Sequence, residues 1–413
     1  MPKTPVRKPT RTTIIVLHQI CNLIPAHLVP SLAKKHGVDK KSRSFTPWSH
    51  IVTQLYAQLT HALSLNDICD SLRNHAPKLL RIRSAIAPKR NTLSNANRQR
   101  NSAMAEEFFW TMLDRLKRQN TSFGGRTMKG LPRRFKRAVS SIDSSTIALT
   151  LNSVDWAKHR RRKAAAKLHL RLDLQSNLPA FAVVDTASHN DNKRARELCA
   201  GLKDGEVAVF DKAYVDYDHL SDLDLRGVFW VTRSKSNMKF RVKKRLIKKK
   251  AGNILRDDLI VLTGEKSREK YQKPLRRVKA VVTVSGKERE MEFITNNLTW
   301  APSSIADLYK SRWQIEVFFK EIKQTMQLVD FSGYNKNAIL WQVWLALTLY
   351  VLLRYLKHIS KWLGGFKRFF CLLRSSVWDG FEIQSLVEFC GTAGGITSIR
   401  LASNQLSIPG FKA

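Results

Sequence analysis

Near Phe135 the spacing of apolar residues changes from the period of a helix to the period of a strand, so a single all-helical or all-strand layer cannot accommodate both halves of the chain. Upstream, Ile51, Leu55, Leu59 and Leu63 recur at helical spacing behind Pro47, and the first 130 residues read as helices punctuated by prolines and basic linkers. Downstream, β-branched and alternating runs take over. Ala138 to Ile142, Leu168 to Leu172, Phe181 to Val184, Val207 to Phe210 and Val228 to Val231 read as five strands. Helix-like stretches, Asn192 to Leu202 and Tyr217 to Leu225, separate the later ones. Several strands, then helix, strand, helix, strand, predict a mixed α/β sheet.

Charge narrows what such a fold acts on. Lys and Arg number 72 against 33 Asp and Glu, a formal net charge of +39 over 413 residues, and the basic residues run from Lys3 to Lys412 instead of filling one tail. With 43% hydrophobic and 9% aromatic residues the chain can build cores, which excludes general disorder. A folded surface this basic attracts a polyanion, and nucleic acid is the default partner. The five cysteines form no CxxC pair and no zinc-like spacing, which fits a reduced cytoplasm. The apolar run Ile14 to Leu17 is too short for a signal-peptide core. Ile339 to Leu353 contains Gln342 and falls short of the roughly twenty apolar residues of a membrane span, so it reads as a buried core helix and no membrane is expected.

Three units are expected: a helical N-terminal DNA-binding domain over 1–130, a catalytic domain over 131–375, and a C-terminal tail over 376–413. The very basic, strand-rich piece at about 235–297, with Lys239 to Arg245 and Leu259 to Leu262, is expected to be an insertion. Helical spacing returns over Ile305 to Gln327 and Ile339 to Tyr355. In the first unit, Ser64 to Leu72 and a stretch beginning at Ser94 loosely resemble a helix-turn-helix that presents Asn and Arg to DNA. A small helical bundle with a solvated basic face fits the same residues.

Three carboxylates carry candidate chemistry. Asp143 follows the first strand in Ile142-Asp143-Ser144-Ser145, and Asp211 ends the fourth in Phe210-Asp211-Lys212-Ala213-Tyr214. A lone Asp after an apolar strand is more often a turn or cap residue than a ligand. Glu316 lies in a more informative setting. At about 100° per residue, Tyr309, Arg312, Glu316 and Lys323 share a stripe about 60° wide, beside an apolar face of Leu308, Ile315, Phe318, Phe319 and Ile322. By spacing alone, Arg312 and Glu316 are equally an ordinary i, i+4 surface pair. Asp173 and Asp185 also sit in or beside strand-like segments, Asp191 follows His189, and all three read as mostly structural.

Tyr309, two residues, Arg312, three residues, Glu316, six residues, Lys323 resembles the Tyr-Arg-Glu-Lys signature of the insertion-sequence-four family of DDE transposases. Ile142-Asp143-Ser144-Ser145 resembles that family's first catalytic Asp motif, and Asp211-Lys212-Ala213-Tyr214 its second. The resemblance covers about Phe135 to Lys323. It implies a ribonuclease-H-like α/β domain, interrupted by a β-rich insertion, in which Asp143, Asp211 and Glu316 are catalytic and ligate two Mg²⁺ ions, with Mn²⁺ able to substitute. Hard oxygen ligands suit such ions, and two of them activate a nucleophile and disperse phosphate charge. Tyr309, Arg312 and Lys323 are then expected at the DNA end, with Arg160, Arg161 and Arg162 and the run Lys239 to Lys250 tracking phosphates. The implied partners are double-stranded DNA, as terminal inverted repeats and target, and a second copy of the chain when two ends are paired. The implied place of action is a bacterial cytoplasm, at the nucleoid. In some relatives a Trp in the insertion stacks on a flipped base; neither Trp230 nor Trp300 aligns to that role.

The implied reaction is cleavage at the element's ends followed by strand transfer. A nuclease of the same fold would carry the same triad, and a non-catalytic DNA-binding descendant would keep charge and fold. An RNA-binding protein fits the charge but predicts aromatic stacking motifs that this chain does not display.

Overall fold

Helices form in the first third where apolar periodicity favours them, and two of them start at side-chain caps. In the computed structural model, which describes residues 8–40, 42–125, 132, 135–149, 158–159, 163–186, 191–247, 249–284, 286–326 and 335–390, seven helices lie between residues 16 and 119. They are α1 (Val16–Asn22), α2 (Leu28–Lys35), α3 (Pro47–Thr60), α4 (Leu65–Asn74), α5 (Ala76–Leu80), α6 (Arg90–Gln99) and α7 (Ala103–Gln119). Thr46 caps α3 by accepting the Ser49 N–H at 3.1 Å, with Pro47 in the first turn, where its missing N–H costs nothing. Ser64 caps α4 in the same way, accepting the Asp67 N–H at 3.2 Å. The expected second helix at Ser94 begins earlier, at Arg90.

The strands form one sheet: β1 (Val139–Leu149), β2 (Lys158–His159), β3 (Lys163–Asp173), β4 (Leu178–Thr186), β5 (Val207–Phe210), β6 (Phe229–Arg233), β7 (Phe240–Arg245), β8 (Ile254–Leu262), β9 (Leu275–Val284) and β10 (Lys287–Thr295). Their order is β2-β3-β1-β5-β6-β10-β9-β8-β7, with β4 also paired to β3. β1, β3 and β4 pair antiparallel, and β5 and β6 continue parallel to β1. The crossovers run through α8 (Asp191–Cys199) and α9 (Tyr217–Leu225). This is the ribonuclease-H-like mixed sheet that was expected. The strand-rich insertion extends it, because β10 pairs antiparallel with β6 and β7 ends as the outer edge. Within it lie the buried ion pairs Arg276–Asp257 and Arg277–Asp258, a buried charge each matched by its partner across β8 and β9.

Side-chain alternation assigns the two faces. Val139, Val207, Val209 and Val231 join the large apolar core, while Ile142, Ala208, Phe210 and Trp230 join a second cluster with Leu198, Leu220 and Leu223 of the crossover helices. After the short insertion helix α10 (Glu265–Lys270) in the chain come α11 (Pro302–Ser311) and α12 (Trp313–Thr325), which lie over the first face. The single helical run expected from Ile305 is therefore two helices. Arg312 keeps right-handed angles, but the Arg312 N–H bonds the Tyr309 carbonyl and the Ile315 N–H bonds the Arg312 carbonyl, a tight three-residue turn that interrupts the α-helical ladder.

Behind these helices lies α13 (Lys336–Ile359), capped by Asn335, which accepts the Ala338 N–H at 2.8 Å. It packs on α3, α6, α7 and α12 and buries Trp341, Leu345, Leu349 and Leu353, each such side chain contributing about 1.5–3 kcal/mol. It is long and apolar enough to cross a membrane, and 89% of its most apolar stretch is buried inside the protein, as a core helix requires. After α14 (Phe366–Ser375), the segment leading into α15 (Ile383–Cys390) is stitched to the start of the chain: Phe381 bridges Arg11, and the Thr12 N–H donates to the Gly380 carbonyl at 2.8 Å. All five cysteines are free.

Candidate active site

Parallel pairing brings the first two carboxylates together. Ser140, Ser141 and Ile142 of β1 stand opposite Ala208, Val209 and Phe210 of β5, so the next residues along each strand, Asp143 and Asp211, are neighbours across strands about 4.8 Å apart. Asp143 was expected at a strand end and lies instead inside β1, which continues to Leu149. What ends beside it is the parallel ladder with β5; the antiparallel ladder with β3 carries the strand onward. By alternation, Asp143 emerges on the face of Val139, the face that α12 covers.

The helix pair supplies the rest. The Tyr309 hydroxyl donates to Asp211 Oδ1 at 3.0 Å, and its ring packs on Phe293 of β10, so the insertion's last strand braces it. At the turn between the helices, Arg312 Nη1 donates to Asp143 Oδ2 at 2.9 Å and Nη2 to Glu316 Oε1 at 2.5 Å. The i, i+4 pair with Glu316 therefore exists, but it is not a surface pair: the Arg312 side chain is 13% exposed and also grips a carboxylate 169 residues upstream. Asp143 Oδ1 accepts the Ser144 N–H at 2.8 Å.

Charges here are shifted in a consistent sense. Burial raises the Asp143 pKa above the ordinary carboxylate value, Glu316 and Asp211 push the same way, and the Ser144 N–H and Arg312 oppose them. Burial pushes the Tyr309 phenol up to about 12, so it remains a donor to Asp211. For Arg312, burial works against the charge, and Tyr309, Asp143 and Glu316 outweigh it, leaving the guanidinium more firmly protonated than usual. Asp143 of β1, Asp211 just beyond β5 and Glu316 of α12 are thus held by one arginine and one tyrosine, and both Asp211 and Glu316 are near enough to Asp143 to raise its pKa.

A family model described as the transposase DDE domain matches residues 134–352, a span that contains all of these residues. The chain belongs to the DDE transposases. Its relatives place it in the insertion-sequence-four family. It is 31% identical over 307 residues to a putative transposase, y4zB, of Sinorhizobium fredii, covering 73% of this chain and 81% of the relative. It is 28% identical over 270 residues to a probable transposase for insertion sequence element IS5377 of Geobacillus stearothermophilus, covering 63% and 70%. It is 27% identical over 198 residues to the transposase InsG for insertion sequence element IS4 of Escherichia coli, covering 46% and 43%. A second model, described as a domain of unknown function, matches residues 12–82. Among solved structures, a piggyBac transposase synaptic complex with hairpin DNA aligns with TM-score 0.44 and 11% identity, over 90% of this chain and 82% of that one.

The DDE transposases depend on divalent metal, generally Mg²⁺, and the donor set of this transposase bears on that requirement in two ways. Among the described residues no group of three or more His, Cys, Asp and Glu side chains is gathered tightly enough to hold an ion as placed. The chemistry fits nonetheless. Asp143, Asp211 and Glu316 offer only hard oxygens, their mutual influence reaches the Asp143 pKa, and the cation now balancing two of them is a guanidinium.

The other sequence candidates divide. Lys323 is exposed on α12, two turns beyond Glu316 and on the same side of the helix. Arg160, Arg161 and Arg162 lie outside the described residues. Asp173 accepts the Gln175 N–H and the Ser176 hydroxyl in a turn, and Asp185 accepts Arg194. Trp230 is sealed against Tyr271, and Trp300 sits between Phe135 and Phe229. The feature missed from sequence is that Arg312 holds two of the carboxylates. Its signal was present in the stripe of Tyr309, Arg312 and Glu316 beside an apolar face, but the stripe says nothing about Asp143.

Proposed function

We propose that this transposase cuts DNA at the terminal inverted repeats of its own element and joins the freed ends to target DNA, with Asp143, Asp211 and Glu316 as the catalytic carboxylates. The observation that carries the reading is Arg312 gripping Asp143 and Glu316 at once while Tyr309 holds Asp211, which gathers acidic groups from three distant parts of the chain around one arginine inside the span of the transposase DDE domain. Two Mg²⁺ ions, or Mn²⁺ in their place, held by these three carboxylates, would supply an activated hydroxyl and charge dispersal at the phosphate.

The protein's own groups do the remaining work. Arg312, released from its carboxylates, presents a planar fork that matches a phosphate at the DNA end. Tyr309 keeps its proton and orients Asp211. Lys323 and the exposed strand β7, with Arg241, Lys243, Lys244 and Arg245, follow the backbone, as do Arg160, Arg161 and Arg162. Residues 131–375 form the catalytic unit and 1–130 the end-binding module, and two copies pair when two ends are brought together. The protein works at the nucleoid of a bacterial cytoplasm.

The test is cleavage of labelled DNA carrying the segments that flank this gene, with Mg²⁺ and with chelator, by the wild type and by Glu316→Ala. Metal-dependent nicks at a defined end, followed by joined products and lost in Glu316→Ala while end binding persists, are expected. Wild-type cleavage by the variant would sink the assignment of Glu316.

A further inference from the structure

Between the two regions matched by family models, residues 12–82 and 134–352, lies α6, and its two faces differ sharply. The inner face is anchored with unusual care. Leu93, Ala96 and Asn97 are buried, and Asn97 Oδ1 accepts from His50 Nε2 at 2.8 Å and from Gln54 Nε2 at 2.7 Å. Asn337, at the start of α13, donates to the Asn97 carbonyl at 3.2 Å and to the Arg98 carbonyl at 3.3 Å. Polar bonds of this kind have direction, so they fix the rotation of α6 about its axis, which apolar packing alone does loosely.

The outer face carries Asn91, Asn95 and Arg98, all exposed. At i, i+4 and i+7 they form one stripe about 60° wide. Arg98 Nη2 donates to Asn95 Oδ1 at 3.2 Å, so the two polar heads lie side by side. An ordinary solvated helix face mixes Lys and Glu; this one has neither. Between Ser71 and Ala105 the sequence has no Asp or Glu and eight Lys or Arg, with Lys89 and Arg90 exposed where the helix begins. The nearest acids upstream, Asp67 and Asp70, lie on α4, and Asp70 pairs with Arg73 at 3.3 Å. An Asn side chain matches the donor and acceptor of adenine in the major groove, and an Arg fork matches the two acceptors of guanine.

We propose that α6 is the base-reading helix of this transposase: it lies in the major groove at the element's ends, where Asn91, Asn95 and Arg98 read bases and Lys89 and Arg90 hold the flanking phosphates. This inference rests on the end-cutting function proposed above and names the surface that selects the ends. Its occupant is duplex DNA, chosen by a face that offers amide and guanidinium groups with no carboxylate to repel phosphate.

The experiment compares the affinity of the full chain for duplexes carrying the segments that flank this gene with its affinity for an unrelated duplex of equal length. Wild type, Asn91→Ala, Asn95→Ala, Arg98→Ala and the triple variant are measured at fixed salt by fluorescence anisotropy. Each single change is expected to cut the ratio of end to unrelated affinity by about 5- to 150-fold, the range for removing one bidentate pairing with a base. Unrelated DNA is expected to bind the two Asn variants as it binds wild type. Selection of bound duplexes from a pool randomised across the end is expected to show Arg98→Ala losing preference at one position, a change that no general loss of folding produces. A triple variant that keeps the wild-type ratio overturns the proposal, and if the wild type still makes metal-dependent cuts at the ends, the function proposed above stands without it. A wild type that neither prefers nor cuts the ends overturns both.

Discussion

Replacing Arg312 with alanine removes the guanidinium on which Asp143 and Glu316 both rest. Breaking a fully buried ion pair costs about 3–5 kcal/mol because the surviving charge has no partner. Here the Asp143 and Glu316 side chains are 21% and 34% exposed, so water recovers part of that loss, and about 2–3 kcal/mol is expected, near the value of hydrogen bonds to charged groups. The same change relieves competition for the carboxylates. Divalent metal should therefore stabilise Arg312→Ala more than wild type, by about 1.4 kcal/mol at saturating metal for each tenfold by which the variant's dissociation constant is the lower.

The pH response has a definite sign. Arg312 lowers the Asp143 pKa against the dominant effect of burial, so its loss lets that pKa rise further. A carboxyl whose pKa is higher in the folded than in the unfolded chain contributes stability that is full below the unfolded value and is lost as pH rises through the folded one. In Arg312→Ala that loss should move to higher pH. The assay is urea unfolding followed by circular dichroism, with chelator and across a Mg²⁺ titration, at several pH values. A variant with the wild-type midpoint in chelator, or with the wild-type response to Mg²⁺, would refute the reasoning that this arginine holds the carboxylates.

Arg276→Ala should cost about 3–5 kcal/mol in the same unfolding assay, because it strands Asp257, whose side chain is only 2% exposed; a loss under about 1 kcal/mol would show that the pair does not brace the insertion. His50 is buried, and burial holds its pKa down to about 3, so as pH falls below 6.5 the unfolded chain takes up the proton first and stability declines across that interval. His50→Gln should flatten this part of the pH profile, and an unchanged slope would count against it. Changing Arg241, Lys243, Lys244 and Arg245 of β7 to Gln should reduce the log–log salt slope of DNA binding by about 0.9 for each phosphate that the strand no longer neutralises. An unaltered slope would remove β7 from the DNA path.

Local patterns are legible in the sequence where local forces set them. The run Val207 to Phe210 is β5, and Tyr217 to Leu225 is α9, residue for residue. Both are readable because apolar runs bounded by polar residues and an Asp216 cap act over a few positions. Asp143 reads as a strand end because Asp143, Ser144 and Ser145 interrupt the apolar signal, yet β1 runs on to Leu149 through its ladder with β3, whose residues facing this stretch lie farther along the chain. The turn at Arg312 leaves no mark in the sequence, since helical angles continue through it and only the bonding pattern changes.

The sequence by itself determined the class of the fold, the change from helices to strands near Phe135, the basic character of the chain, and the spacing of Tyr309, Arg312, Glu316 and Lys323 that marks the family, because charge and periodicity are properties of neighbouring residues. Tertiary structure alone decided that the insertion continues the sheet, that α13 is shared between the N-terminal helices and α12, and that Arg312 reaches Asp143 as well as Glu316. Each of these depends on sheet register and on which apolar faces meet, and those are settled by contacts between segments far apart in the chain, which no local spacing encodes.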